Sequence, residues 1–355
     1  MTKTKIKYFF SLVFLILIFT FQKTNFISIQ TTINLFFKSV MPSLFLFILF
    51  TNVILAIDIK KPLKKIFKSN YILVYIALIG FFCGYPMGTK AASKYYDEKA
   101  INIKNIKYLM SFANNANPIY IISTIGIATL ENFKLGLILA LSHYLSSLTI
   151  CTCYLFYKDI IHEKSTNLKS KDNISDKKLH KSLFEILNDS IKATYHTLSQ
   201  ILAYIIIFNV ISQEITIVLK MINIPQNIIY IIQGLLESTK GISIIALNYN
   251  ASQTITISII SFILGFSGLS IIFQIYSCIY NTKINIFHII KYKLLQGSIS
   301  FVITYILLNI KTINITDVSL TIRTQKLLNN TSTFLIITSL LFLFAANIKK
   351  VTRKI

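Results

Sequence analysis

Gln226, Tyr230, Gln233, Glu237 and Lys240 recur at spacings of four, three, four and three through a stretch otherwise rich in Ile and Leu. On one helix they would form a single polar stripe. A carboxylate is costly against lipid, so Glu237 is expected to face a partner helix or a wet cavity, with Lys240 or Lys220 in reach. A helix lying flat at the membrane surface with its stripe in water is the competing reading. A second set, Ser111, Asn114, Asn115, Asn117 and Pro118, interrupts apolar residues between 109 and 120. Amides both donate and accept, which suits an uncharged polar solute. The same residues also suit a helix-end turn. Both readings stay open here.

Other chemistry is missing from the sequence. No G-x-x-x-x-G-K-[ST], G-x-S-x-G or H-E-x-x-H occurs. His143, His162, His180, His196 and His288 are scattered, and Cys83, Cys151, Cys153 and Cys278 form no C-x-x-C pair. An enzyme is therefore not expected, nor a metal, a cofactor or a disulfide framework. His143 lies in an apolar run, where helix packing is expected ahead of a proton relay.

The polar residues need an element that holds them inside an apolar chain. The stretch GFFCGYPMGTK, 80–90, ends an apolar run and cannot continue as a plain helix. Gly84 and Gly88 are permissive, Pro86 removes a donor, and Tyr85 before proline is pushed towards extended geometry. In lipid such a break is tolerated only where protein or a water-filled cavity surrounds it. A broken apolar segment is a candidate binding element of a transporter. GFSG, 265–268, closes another apolar run, with Ser270 and Gln274 nearby. NIFHIIKY, 285–292, echoes NIKNIKY, 102–108, and both follow their glycine break at nearly the same distance. The echo points to two related halves.

Composition fits a membrane protein. Of 355 residues, 54% are hydrophobic and 14% charged. The formal charge of +23 would suggest nucleic acid in a soluble domain. Here the lysines flank apolar runs, so they read as topology signals and contacts to anionic lipid. Nucleic acid is not an expected partner; the bilayer is.

The expected fold is all-α: a polytopic helical membrane protein with two related halves, each carrying a glycine-broken, re-entrant helical hairpin. An N-terminal span and interfacial segment fill 1–39, including an apolar run from Tyr8 and an interfacial 31–37. The first half fills 40–157. Lys60, Lys61, Lys64, Lys65 and Lys68 mark a basic cytoplasmic loop within it. A polar cytoplasmic loop follows at 158–182. The second half, 183–310, should open with an interfacial helix, 183–198, before a span at 201–221, and close with a span at 294–310. A polar loop and a C-terminal span fill 311–355.

The runs GFFCGYPMGTKAASKYYDE and YLMSFANNANPIYIISTIG, together with LLESTKG (235–241) and GFSGLS (265–270), resemble the signatures of sporulation integral membrane proteins of the YlbJ type. Three positions depart from the pattern: Asn117 and Ser267 stand where glycine is usual, and Cys83 where serine is common. The resemblance extends to the nucleoside-recognition or Gate domain group, which includes gate regions of ferrous iron transporters. It implies a multi-pass membrane protein of a sporulating bacterium, needed for spore cortex formation and acting as a transporter or channel-like protein for a small polar solute. Other sporulation membrane proteins are implied as partners. A non-transporting scaffold for cortex-building enzymes is the alternative. The expected site comprises Gly84, Tyr85, Pro86, Gly88, Lys90, Asn114, Asn115, Gln233, Glu237, Gly265, Gly268, Ser270 and Gln274, with Lys90 at the cytoplasmic rim.

Overall fold

A computed structural model describes residues 19–57, 71–160 and 182–310, the side chains of 154–160 aside. The expected apolar run from Tyr8 (up to residue 18), the basic loop carrying Lys60 to Lys68, most of the 158–182 tract and everything from 311 onward lie outside the described residues. Among the described residues all regular structure is helical. Helix α1, Gln22–Leu35, passes through a π turn, Phe36–Val40, into α2, Met41–Ile57. Then come α3, Tyr71–Phe82; α4, Met87–Asp97; α5, Ile103–Phe112; the π-wound α6, Tyr120–Thr129; and α7, Phe133–Ile160. The later elements are α8, Leu183–Met221; α9, Gln226–Leu236; α10, Ser238–Asn248; α11, Gln253–Phe266; α12, Gly268–Ile279; and α13, Ile286–Asn309.

Side-chain caps set many of the starts. Asn102 accepts from Asn105 N at 2.9 Å, and Asn285 accepts from Phe287 N at 3.0 Å. Ser182 and Glu185 form a reciprocal capping box at the head of α8. That helix runs on for 39 residues. The expected division near residue 200 does not occur, because neither Gly nor Pro stands there to end a helix. At ~1.5 Å per residue α8 is about 58 Å long, well beyond the ~30 Å of bilayer hydrocarbon. Helix α13 likewise starts earlier than expected, which brings Lys293 two turns inside it. The expected interfacial 31–37 is helical and leads without interruption into α2.

The element order repeats. Residues 71–160 run as a broken pair, α3 and α4, a second broken pair, α5 and α6, then the long α7. Residues 226–309 run as α9 and α10, α11 and α12, then the long α13. The short sequence echo had matched the glycine run at 80–90 with that at 265–268. Element order instead matches the break at Cys83–Pro86 with the one at Glu237. Close packing supports this register. A Cβ on Gly88 would lie 2.7 Å from Gly80 Cα, and one on Gly241 would lie 2.3 Å from Gly234 Cα. In each pair a glycine before the break touches a glycine after it.

Small residues also join the long helices. A Cβ on Gly265 of α11 would lie 2.7 Å from Gly297 Cα of α13. Ser261 and Ser300 share a hydroxyl contact at 2.7 Å, and Thr304 donates to Ser261 Oγ at 2.7 Å. Lipid supplies no hydrophobic drive between helices, so close backbone approach and inter-helix hydrogen bonds must hold them. Among the described residues five stretches are long and apolar enough to cross a membrane: Gln22–Ile57, Phe133–Cys153, Leu183–Met221, Gln253–Ile279 and Ile286–Asn309.

Candidate functional site

The first break forms where α3 ends and Gly84 takes φ +82°. It crosses the uncoiled segment between α5 and α6. Tyr85 N donates to Asn115 O at 2.9 Å, and Asn115 N donates to Gly80 O at 3.3 Å. A Cβ on Gly80 would fall 1.8 Å from Ala113 O, so no larger residue fits this crossing. The Tyr144 hydroxyl of α7 lies 2.7 Å from Ala116 O and 3.1 Å from Phe81 O, so its one proton serves these two carbonyls at the breaks, the shorter contact foremost.

The second half is broken by other means. Helix α9 stops at Leu236, and Glu237 is extended at φ −139° and ψ 112°. The single polar stripe expected through 226–240 is therefore interrupted. The Glu237 carboxylate accepts from Thr239 N at 3.0 Å and Lys240 N at 2.8 Å, so it caps α10. A carboxylate at a helix N-terminus meets both free donors and the positive end of the dipole. The neighbouring break turns on Ser267 and Gly268, at φ +74° and +73°. A Cβ on Gly268 would lie 3.0 Å from Ser238 N, so this break packs onto the Glu237 break.

A second interior charge has the complementary task. Lys293 of α13 is buried, and its ammonium donates to the main-chain carbonyl of Asn114 and, at 2.9 Å, to Gln296 Oε1. Asn114 follows the C-terminus of α5, where a cation is favoured. Gln296 Nε2 donates in turn to Asn115 Oδ1 at 2.8 Å, and Asn115 Nδ2 donates to Ser147 Oγ at 3.1 Å. Ala116 N donates to His143 Nε2 at 3.0 Å. The network ties α5, α7 and α13 together through amides and hydroxyls.

The breaks of both halves meet at a cavity of about 30 Å³. Gly84, Tyr85, Asn117 and Tyr120 line it from the first half, and Thr239 and Gln274 from the second. Tyr120 interacts with the Thr239 side chain. The polar lining carries hydroxyls and amides and no ionised group. This volume admits water, which needs about 10–15 Å³, and falls far short of the ~300 Å³ of a small-molecule pocket. A much larger vestibule of about 590 Å³ opens nearby, lined by Lys90, Lys94, Asp97, Glu98, His196 and Cys278 among others.

The expected site residues thus divide. Gly84, Tyr85 and Gln274 line the cavity. Pro86, Gly88 and Gly268 shape the breaks beside it. Ser270 is buried behind Gln274 and accepts from its Nε2 at 3.4 Å. Lys90 lines the vestibule. Asn114 and Asn115 belong to the Lys293 network, and Glu237 to the α10 cap. Gly265 packs on Gly297, and Gln233 donates to Thr216 of α8 at 2.9 Å, outside the cavity lining. Tyr120, Thr239, Lys293 and Gln296 were not anticipated. A lysine in a helix whose Asn cap lies eight residues earlier is the signal that points to Lys293. Among the described residues no group of three or more His, Cys, Asp or Glu could hold a metal ion.

Helices of this length and polarity define a multi-pass integral membrane protein. The chain is similar to the sporulation integral membrane protein YlbJ of Bacillus subtilis (strain 168), at 25% identity over 308 residues, covering 78% of this chain and 75% of that protein. No protein-family model matches the chain, and no solved structure does.

Proposed function

We propose that this chain is a transporter or channel-like protein for a small polar solute, working in the membrane of a sporulating bacterium and needed for spore cortex formation. In this reading it performs no enzymatic reaction, uses no cofactor, and belongs with the nucleoside-recognition or Gate group. In each half the broken helices are re-entrant, and the freed main chain and neutral side chains at the breaks select the solute. One observation carries the reading: broken helices of both halves converge on one small cavity, largely apolar, into which neutral hydroxyls and amides from both halves are brought. Similarity to a sporulation integral membrane protein supports the cellular setting. The cavity has room for water alone, so passage requires the halves to separate.

Proteoliposomes carrying the full chain test this directly. Saturable uptake of a small polar solute from a panel of nucleosides, short peptides and divalent cations is the expected result. A second reading, a scaffold that recruits cortex-building enzymes, draws on the small cavity and on Glu237 being occupied as a cap. No flux for any panel member, together with a stable co-purifying enzyme, would establish the scaffold instead.

A further inference from the structure

The vestibule and the cavity lie in sequence along two shared helices. On α8, His196 and Gln200 face the vestibule, while Ile201 and Ile205 face the cavity. On α12, Ser277 and Cys278 face the vestibule, while Ile271 and Gln274 face the cavity. Lys90 on α4 is the vestibule residue nearest in the chain to Gly84 and Tyr85 of the cavity, so it marks the vestibule floor. Asp97 and Glu98, at the far end of α4, mark its mouth.

Charge is sorted along this axis. The Lys90 ammonium donates to neutral oxygens, Thr197 Oγ1 at 3.0 Å and Asn52 Oδ1 at 3.5 Å. An ammonium has three donors and is strongly hydrated, so a half-buried one facing open space favours an anionic partner. Lys94 is held differently, donating to Leu55 O at 3.0 Å. The mouth carries two exposed carboxylates, Asp97 and Glu98. Seven residues separate Lys90 from Asp97, about 10 Å along a helix axis.

We propose that the vestibule binds a zwitterionic solute whose opposite charges stand about 10 Å apart, the span of roughly three extended residues. Its anionic group lies on Lys90, displacing Thr197 and Asn52, and its cationic group lies at Asp97 and Glu98. A molecule of that size fits within the 590 Å³ available. Leu55, which receives Lys94, precedes by a few residues the run carrying Lys60, Lys61, Lys64, Lys65 and Lys68, so the vestibule opens to the cytoplasm by the positive-inside rule. The inference deepens the transport reading and rests on it for what becomes of the bound solute.

Triglycine is the probe. Titrated into the purified full chain in detergent, it should raise the melting temperature saturably. Triglycine amide lacks the anion and N-acetyl-triglycine lacks the cation; each should bind at least tenfold more weakly. Lys90→Gln should weaken triglycine binding at least tenfold. Should that variant fold poorly, Asp97→Asn combined with Glu98→Gln, both exposed, should weaken it similarly. Equal binding of triglycine and its amide, or triglycine binding unchanged in every variant, overturns the proposal. Triglycine that binds but is not transported would count against transport and leave this site standing. Uptake of an uncharged solute with no triglycine binding would do the reverse.

Discussion

The Lys293 ammonium donates to the main-chain carbonyl of Asn114, two residues beyond the end of α5. The cation thereby neutralises the negative end of α5, as the Glu237 carboxylate neutralises the positive end of α10. Lys293 and Glu237 each bond main-chain groups and need no mutual ion pair. Replacing Lys293 with Met keeps most of the volume but strands Asn114 O and Gln296 Oε1. The expected loss is about 1–3 kcal/mol, the cost of a buried acceptor left unpaired. Thermal unfolding in detergent checks this, and an unchanged melting temperature would contradict the assignment.

Gly234 and Gly241 touch across the Glu237 break but should not respond equally to substitution. A Cβ on Gly241 meets main-chain atoms of Gly234 and Gln233, at 2.3 Å from Gly234 Cα, which cannot step aside. A Cβ on Gly234 meets first the Cδ1 of Ile263 at 2.5 Å, the far end of a movable side chain. Gly241→Ala is therefore expected to cost about 3 kcal/mol or more, and Gly234→Ala about 1 kcal/mol. Comparing folded yield and melting temperature of the two variants decides the point.

Glu237→Gln removes the charge and leaves a single oxygen acceptor for two N–H groups. Loss of a helix cap costs about 0.5–2 kcal/mol. The variant should insert into the membrane yet melt earlier than wild type and transport less. A melting temperature equal to wild type would show that the carboxylate is not the cap that the geometry describes.

Gln274→Leu alters the cavity without touching a helix cap or a break glycine, and Thr239→Val alters it while also removing a hydroxyl that bonds the Glu237 carboxylate. Under the transport reading each should cut flux about tenfold, equivalent to ~1.4 kcal/mol. Folded yield should hold for Gln274→Leu and fall only slightly for Thr239→Val, because position 239 keeps the main-chain N–H that Glu237 accepts. Flux that is insensitive to both substitutions would move the solute path elsewhere.

Much of this was legible along the chain. Apolar runs, flanking lysines and the glycine–proline stretch at 80–90 specify a helical membrane protein with a broken segment, because burial, bilayer thickness and backbone satisfaction are local constraints. Gly84, Tyr85 and Gln274 were picked out on the same grounds and do line the cavity. What the chain could not convey is partnership at long range. Gln233 and Glu237 share a spacing, yet one bonds to Thr216 and the other caps α10, because Glu237 leaves helical geometry to take two N–H groups. Lys293 reads as a flanking cation until the α13 start is known, and its partner Asn114 lies 179 residues away. The sequence determined that polar groups would be buried and the helices broken. The tertiary structure alone decided which freed carbonyl met which side chain, since that depends on how non-adjacent helices cross.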